Sequence, residues 1–246
     1  MQRCWPLVLG MIALVSAAPV LAGPPYQTDD AEPTETGHWE IYAFGDGASS
    51  RGTLAGEAGL DFNYGGAEDL QLSMVIPFGY SRPDDEGFRS GFGDIELGAK
   101  YRFVRQTDTL PDISVFPSLQ IPVGSSSQFT PSHVSEFLPV WAEKDFGAWS
   151  LFGGGGYDIN PGGSNRNYWF FGAALTRQIT PQLQLGIEVF HATADTEGGK
   201  AATGVGFGAD YAITDHYHLI ASYAPPLQNI DSTSIHTYYA ALEFKI

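Results

Sequence analysis

The segment from Gly93 to Val104 alternates between apolar and polar residues, and this period constrains the fold more than any other feature of the chain. It reads Gly-Asp-Ile-Glu-Leu-Gly-Ala-Lys-Tyr-Arg-Phe-Val. A period of two places the apolar side chains on one face of a β-strand and the charged side chains on the other. Such a strand suits a wall with lipid on one side and water on the other. The alternation recurs along the chain, which predicts a transmembrane β-barrel.

Strand candidates follow one another from residue 37 onward, separated by connectors that alternate between long and short. There are about twelve, at roughly 38–46, 53–64, 69–81, 92–104, 112–123, 134–144, 149–159, 168–178, 182–191, 202–213, 217–225 and 235–246. The first long connector is predicted at 45–52. Outer-membrane barrels show this rhythm, with long loops outside and short periplasmic turns. The sequence therefore predicts an all-β, antiparallel, up-and-down barrel with an even number of strands and both termini in the periplasm.

Aromatic residues on the apolar faces cluster at strand ends, whereas the strand centres are aliphatic, as in Leu185 and Ile187. This layout predicts aromatic girdles at the two interfaces of a lipid bilayer. The last strand is amphipathic and has aromatics near its end, so it resembles the signal that barrel assembly machinery reads. We expect that machinery and outer-membrane lipid as partners.

Four prolines lie inside predicted strands, where they cannot donate a hydrogen bond to the ladder. They are Pro77, Pro117, Pro122 and Pro139. We expect β-bulges or barrel rims at these positions. The four consecutive glycines at 153–156 predict either a bend in the wall or a close approach of another group to it.

The N-terminal residues predict export to the outer membrane of a Gram-negative cell. Arg3 precedes an apolar run, and small residues around Ala22 predict a signal peptide at 1–22. Its removal takes away Cys4, the single cysteine, and leaves a net charge of −17 from the −16 of the whole chain. Such an acidic chain is not expected to bind nucleic acid. Residues 23–36 are acidic and Pro-rich and predict an extended segment, which we hypothesise to fold into the lumen of a barrel formed by 37–246.

Alternation also assigns a polar row to the lumen. The candidates for lumenal selectivity are Asp94, Glu96, Lys100, Arg102, Glu57, Asp61, Glu136, Glu188 and Asp210. One interpretation is a polar path through which a small-molecule solute passes. The other is internal salt bridging that stiffens a plugged barrel, because buried charges must be paired or hydrated. A lumen of twelve strands is narrow, so the solutes of a channel would be small or elongated.

No motif predicts an enzyme, a cofactor or a metal. The six histidines form no paired-ligand helix motif, and the glycines at 153–156 are not followed by the residues of a phosphate-binding loop. Two alternatives to a channel stay open. One is a closed structural or receptor barrel; the other is a lipid-modifying enzyme, which needs a Ser–His pair near a membrane interface. Ser135 and His133 lie near a loop, but no sequence context singles them out. His216 and His218 flank a predicted periplasmic turn and are the candidate pair of histidine metal ligands.

Several stretches resemble a proteobacterial outer-membrane family labelled for a meta-pathway of phenol degradation and described as transporters. They lie at 23–25, 28–33, 37–40, 93–103, 137–141, 165–170, 188–191 and 195–196. The resemblance extends over almost the whole chain after residue 22. It implies a barrel channel for aromatic or other hydrophobic compounds, and it carries no binding residues with it.

Overall fold

The computed structural model describes residues 25–50, 53–83, 87–124, 129, 133–225, 227 and 236–246. Within them the chain forms fourteen β-strands: β1 Trp39–Ser50, β2 Thr53–Ala67, β3 Leu70–Pro83, β4 Arg89–Phe92, β5 Ile95–Val104, β6 Asp112–Val115, β7 Ser118–Ile121, β8 Ser135–Phe146, β9 Trp149–Ile159, β10 Tyr168–Thr180, β11 Leu183–Ala192, β12 Ala202–Ala212, β13 Tyr217–Ala224 and β14 His236–Lys245. No helix in this part of the chain is long and apolar enough to cross a membrane. The predicted signal peptide lies outside the described residues.

The strands form one antiparallel sheet that closes on itself, because β1 pairs with β14. Strands β4 and β5 both pair with β3 and share one position in the wall. Strands β6 and β7 both lie between β5 and β8 and share another. The wall therefore has twelve positions, which confirms the predicted all-β, twelve-stranded barrel.

Prolines explain the two breaks in the wall. Pro77 in β3 has no N–H to donate. The neighbouring strand is interrupted opposite it, between β4 and β5, and there the Gly93 N–H donates to the Pro77 carbonyl oxygen at 3.1 Å. Pro117 separates β6 from β7, and the neighbouring Phe116 N–H reaches the carbonyl oxygen of Pro139 at 3.3 Å. Pro122 follows the end of β7. The expected β-bulges are not found at these prolines, because the register shifts of the described strands lie elsewhere, at 65–67, 102–104 and 178–180; the irregularity is instead in the strand beside Pro77 and Pro139.

The barrel has two distinct ends. At the short-turn end the chain enters β1 and leaves β14, and short connectors such as 147–148 join the strands. The long-loop end carries connectors such as 160–167 and 193–201. One predicted long connector, 45–52, is wrong over its described part: β1 continues to Ser50 and β2 begins at Thr53, with Ala48 paired to Ala55 and Ser49 to Leu54. Glycine, alanine and serine dominate there, so the alternation that marks a strand is too weak to recognise.

The outer surface is apolar along the strand centres. Val140 and Val189 are each 48% exposed although they lie in mid-strand. Large exposed aliphatic residues continue around the wall, namely Leu60, Leu72, Leu97, Leu138, Leu151, Leu185, Ile187 and Leu219. Soluble proteins rarely expose a continuous apolar surface of this extent. The exposed belt is that of a barrel embedded in lipid.

Aromatic side chains border this belt. Phe103, Trp149 and Tyr217 lie on the outer surface near the short-turn end. Trp169 and Tyr223 do so near the long-loop end. Aromatic rings prefer the interface between lipid and water, so the two rows match the predicted girdles.

Candidate functional site

Residues 25–36, called here the lumenal segment, lie inside the barrel. Thr28 and Ala31 are 0% exposed and Asp29 is 1% exposed, because the wall surrounds them. The segment runs without a strand of its own to Thr36, which forms an isolated bridge with Gly65 at the short-turn end. This arrangement agrees with the hypothesis of a segment folded into the lumen.

Acidic side chains of the wall accept hydrogen bonds from the backbone of the lumenal segment. The carboxylate of Glu188 in β11 accepts from the Gln27 N–H at 3.0 Å and from the Thr28 N–H at 3.1 Å. The Glu143 carboxylate in β8 accepts from the Ala31 N–H at 3.2 Å. Charged acceptors make strong hydrogen bonds, and they satisfy buried N–H groups that have no ladder partner. Glu188 therefore anchors the segment.

Lys100 in β5 provides the matching cation. Its Nζ lies 3.1 Å from Asp29 Oδ1 and 3.0 Å from Asp30 Oδ1, and it donates to the Glu32 carbonyl oxygen at 3.3 Å. The ammonium also lies 5.2 Å from the ring centroid of Phe116. A buried cation needs such compensation for its lost hydration. Lys100 thus binds the lumenal segment directly.

Arg102 forms further ion pairs, closer to the short-turn end of the barrel. Its Nε lies 2.9 Å from Asp69 Oδ1, and its Nη1 lies 3.4 Å from Asp112 Oδ1 and 3.9 Å from Glu32 Oε1. Asp69 also pairs with Arg105 at 2.8 Å. Arg102 therefore joins the lumenal segment to the turn between β2 and β3.

Glycines in the wall make room for the lumenal segment. A Cβ atom at Gly172 would overlap the hydroxyl of Thr28, and one at Gly186 or Gly208 would overlap the Tyr26 side chain. The Tyr26 ring also packs against Phe152, with ring centroids 5.9 Å apart. These glycines have a steric role that the alternation pattern did not reveal.

Part of the lumen is aromatic, which the sequence analysis missed. Phe137, Trp141 and Phe170 form a buried cluster around Ala31. The glycines at 153–156 contribute, because a Cβ at Gly154 would crowd Trp141 and one at Gly156 would overlap Phe137. The expectation of a close approach to this glycine run is thus fulfilled. The sequence signal that could have revealed this cluster is a set of aromatic residues at inward-facing positions of one strand, opposite small residues of its neighbour.

A cavity lies between the lumenal segment and the wall formed by β1, β2, β3 and β5. Its lining includes the carboxylates of Asp61 and Glu96, the Lys100 ammonium and the apolar faces of Val75 and Phe116. Glu96 reaches it because it pairs laterally with Val75 and Gln120, which places all three side chains on the inner face. The cavity is therefore predominantly acidic, with an apolar edge.

The other candidate residues lie apart from this cavity, and one does not face the lumen. Glu57 and Asp94 lie toward the long-loop end, where Glu57 donates its N–H to Asp46 Oδ1 at 2.8 Å. Asp210 faces the lumen on another side and lies 2.9 Å from His218 Nδ1. The lumenal prediction for Glu136 is wrong.

Glu136 pairs laterally with Leu119 and Ile159, which are exposed on the outer face. Directly paired side chains share a face, so Glu136 lies on the outer side of β8. Its position near the start of the strand, at the long-loop end, explains how a charge is tolerated there. The inner positions of this strand belong to Phe137 and Trp141.

Comparisons with known proteins agree with the barrel. The sequence model of the family described as "Putative MetA-pathway of phenol degradation" matches residues 45–228. An outer membrane channel from Pseudomonas putida F1 is 15% identical, with a TM-score of 0.70 over 88% of this chain and 98% of that chain. The NanC porin is 14% identical, with a TM-score of 0.60 over 82% and 99%.

A third solved structure, the CymD monoaromatic hydrocarbon channel, is 8% identical, with a TM-score of 0.50 over 86% of this chain and 88% of that chain. At these identities the three structures establish a shared fold. Curated proteins give no match to the sequence.

Proposed function

This chain belongs to the family whose model matches residues 45–228, and from that membership we propose that it is a passive outer-membrane channel for small molecules. One observation carries the proposal: the closed barrel retains a cavity beside the lumenal segment, lined by wall residues of β1, β2, β3 and β5. A barrel stabilised only by a filled interior has no need of such a space. In this proposal the cavity is part of the path that a solute takes.

The lining suggests which solutes pass. Asp61 and Glu96 disfavour anions, whereas Val75 and Phe116 provide an apolar surface for a small aromatic or other hydrophobic molecule. The family description and the monoaromatic channel of the same fold support the aromatic class. We place the short-turn end, and with it both termini, in the periplasm. Glu57 and Asp94 then lie in the outer half of the path and Lys100 in the periplasmic half.

Conductance measurements test the channel. The protein without residues 1–22 is refolded and inserted into planar bilayers, beside a variant that also lacks residues 25–36. We expect a small, cation-preferring conductance from the first and a several-fold larger one from the second. Failure of the shorter variant to conduct would contradict the proposal, provided that it is folded.

Uptake measurements test the solute class separately. Cells with an intact lipopolysaccharide layer express the chain, and the initial uptake rate of a labelled monoaromatic compound is compared with that of a similarly sized sugar. We expect expression of the chain to raise the uptake rate of the aromatic compound more than that of the sugar. An equal rise in the uptake rates of both compounds would indicate a channel without aromatic preference. The solute class would then be removed from the proposal.

A closed structural or receptor barrel is the second candidate, and the anchored lumenal segment favours it. If the chain without residues 1–22 does not conduct while the variant that also lacks residues 25–36 does, the closed barrel replaces the channel as the proposed function. We assign no enzymatic activity. Ser135, which lies near His133 in the sequence, donates its hydroxyl to Gln120 Oε1 at 3.1 Å. Recognition of β14 by barrel assembly machinery stays part of the proposal.

A further inference from the structure

Three potential metal ligands meet on the lumenal face of the last three strands. Asp210 lies on β12, His218 on β13 and Glu243 on β14, and their nearest ligand atoms lie within 4.8 Å of one another. His218 pairs directly with Glu243, so both side chains share the inner face. Asp210 lies two positions before Ala212, the partner of His218 on β12, and points to the same face. The register of three strands therefore builds this group.

The spacing of the ligand atoms suits a four-coordinate ion. His218 Nδ1 lies 2.9 Å from Asp210 Oδ1 and 3.6 Å from Glu243 Oε2. Tetrahedral zinc with nitrogen and oxygen ligands has bonds of about 2.0–2.1 Å, which puts neighbouring ligand atoms about 3.4 Å apart. The two observed separations lie on either side of this value. The third pair of ligand atoms, on Asp210 and Glu243, lies within 4.8 Å, so an ion that binds all three would have to draw these side chains together and replace the hydrogen bond between His218 Nδ1 and Asp210 Oδ1.

Charge and burial favour a cation at this point. The Glu243 side chain is 3% exposed, that of His218 14% and that of Asp210 26%, so two carboxylates face one imidazole inside the wall. Buried carboxylates of like charge require compensation. A divalent ion would neutralise both, with a neutral histidine as the third ligand.

Neighbouring groups orient Glu243 for this role. The Tyr42 hydroxyl donates to Glu243 Oε1 at 3.0 Å, while the other oxygen, Oε2, faces His218. Such hydrogen bonds to a ligating carboxylate fix its orientation and tune metal affinity. Lys245 Nζ also lies 3.4 Å from Oε1. The ammonium supplies part of the compensating charge and should therefore compete with a metal ion.

We propose that Asp210, His218 and Glu243 bind a divalent transition metal ion of the zinc class, with solvent completing the coordination. The site lies beside the β1–β14 pairing and links the three strands that close the barrel. This proposal replaces the expectation of no metal ligands. His216 is not one of the three, since its Nδ1 lies 3.0 Å from the Lys245 carbonyl oxygen.

Metal titration tests the proposal on the complete chain without residues 1–22, purified without a histidine tag and treated with chelator. Zinc binding is followed by calorimetry, and cobalt by the absorption bands of a four-coordinate ion. We expect one ion per chain and a rise in thermal stability with zinc, because only the folded barrel has the site. His218→Ala removes a ligand and should weaken zinc binding by more than the roughly 10–100-fold that loss of an outer-shell partner costs.

Two further variants make the test specific. Lys245→Met removes the competing cation and should tighten zinc binding, whereas His216→Ala removes a nearby histidine and should leave it unchanged. Folding of each variant is checked by the mobility shift of the unheated barrel on gels. If His218→Ala does not fold, the isosteric Asp210→Asn and Glu243→Gln are measured in its place, with the same expected loss.

The proposal is overturned if the parent chain binds no ion stoichiometrically. It is also overturned if folded variants of the three ligands bind as well as the parent, or if His216→Ala loses as much affinity as His218→Ala. The last result would assign the ion to the exposed turn at 213–216.

Discussion

Lys100 is a single charged residue on which the position of the lumenal segment depends. Its side chain is 4% exposed and that of Asp29 is 1% exposed, so the two form a nearly dehydrated ion pair. Glu188 fixes the segment from the opposite side through backbone N–H groups. Both are among the residues that the sequence analysis selected for solute selectivity. In the structure their direct partners belong to the chain itself.

Lys100→Met should release the segment and destabilise the barrel. Removal of one partner from a buried ion pair costs about 3–5 kcal/mol, because the other charge stays buried without compensation. We expect a lower free energy of unfolding in urea and a larger conductance. Asp29→Asn combined with Lys100→Met should recover part of the stability. Lys200→Met, at an exposed loop position, is the control and should change neither property.

Gly208→Val should displace Tyr26 from the wall. The added side chain would overlap the aromatic ring, and overpacking of this kind costs about 1–3 kcal/mol. We expect a moderate loss of stability and a wider path, measured as conductance. In the variant without residues 25–36 the same substitution should have little effect. A full effect there would show that the glycine serves the wall and not the segment.

The individual elements show where local sequence decides the structure. Prolines interrupt the wall strands because a missing N–H cannot be replaced within the ladder. The turn between β2 and β3 depends on Asp69, whose backbone has a φ of 59° and whose carboxylate pairs with Arg102 and Arg105. Asparagine tolerates this backbone region about as well as aspartate. Charge and conformation of the turn can therefore be separated experimentally.

Asp69→Asn should remove an acid-dependent part of the stability. Hydrogen bonds from Arg105 and then from Arg102 lower the pKa of Asp69 from its ordinary value of 3.8. The ion pairs therefore stabilise the folded barrel above about pH 4, and this contribution is lost as the pH falls through the lowered pKa. The stability difference between parent and variant, measured by thermal unfolding, should shrink on acidification. A pH-independent difference would contradict this account.

The barrel as a whole has two surfaces that require different kinds of side chain. The outside meets lipid and keeps aliphatic residues in its centre, whereas the inside holds charges, aromatics and the lumenal segment. A substitution is therefore judged by its face and its depth in the bilayer, because the same charge is tolerated inside and costly outside.

Ile187→Arg should destabilise the barrel by about 2–4 kcal/mol, because an arginine at the bilayer midplane is poorly hydrated. Leu183→Arg lies on the same strand and face but at the short-turn end, where the cost is about 0–1 kcal/mol. Unfolding titrations in lipid bilayers measure both. Equal costs would mean that the lipid-facing belt is placed wrongly along β11.

Sequence periodicity predicted the wall because each strand contributes a local signal. The number of wall positions follows from alternation alone, and the breaks follow from Pro77 and Pro117. The failures have a different origin. Glu136 was assigned to the wrong face because the inward aromatics Phe137 and Trp141 look like lipid-facing residues. The partners of Lys100 come from a segment without periodicity, and only the three-dimensional register brings the two together.

The covalent connection between the lumenal segment and β1 has a kinetic consequence. The segment is an internal ligand, so its effective concentration at the wall is set by the short tether and not by the amount of protein. Once displaced, it rebinds without a second molecule, and dilution does not slow its return. Gly37, with a φ of 81°, lies in this tether just before β1. If the chain is the proposed channel, the segment would act as an intramolecular inhibitor, with an occupancy that is the same in a single molecule as in a crowded membrane.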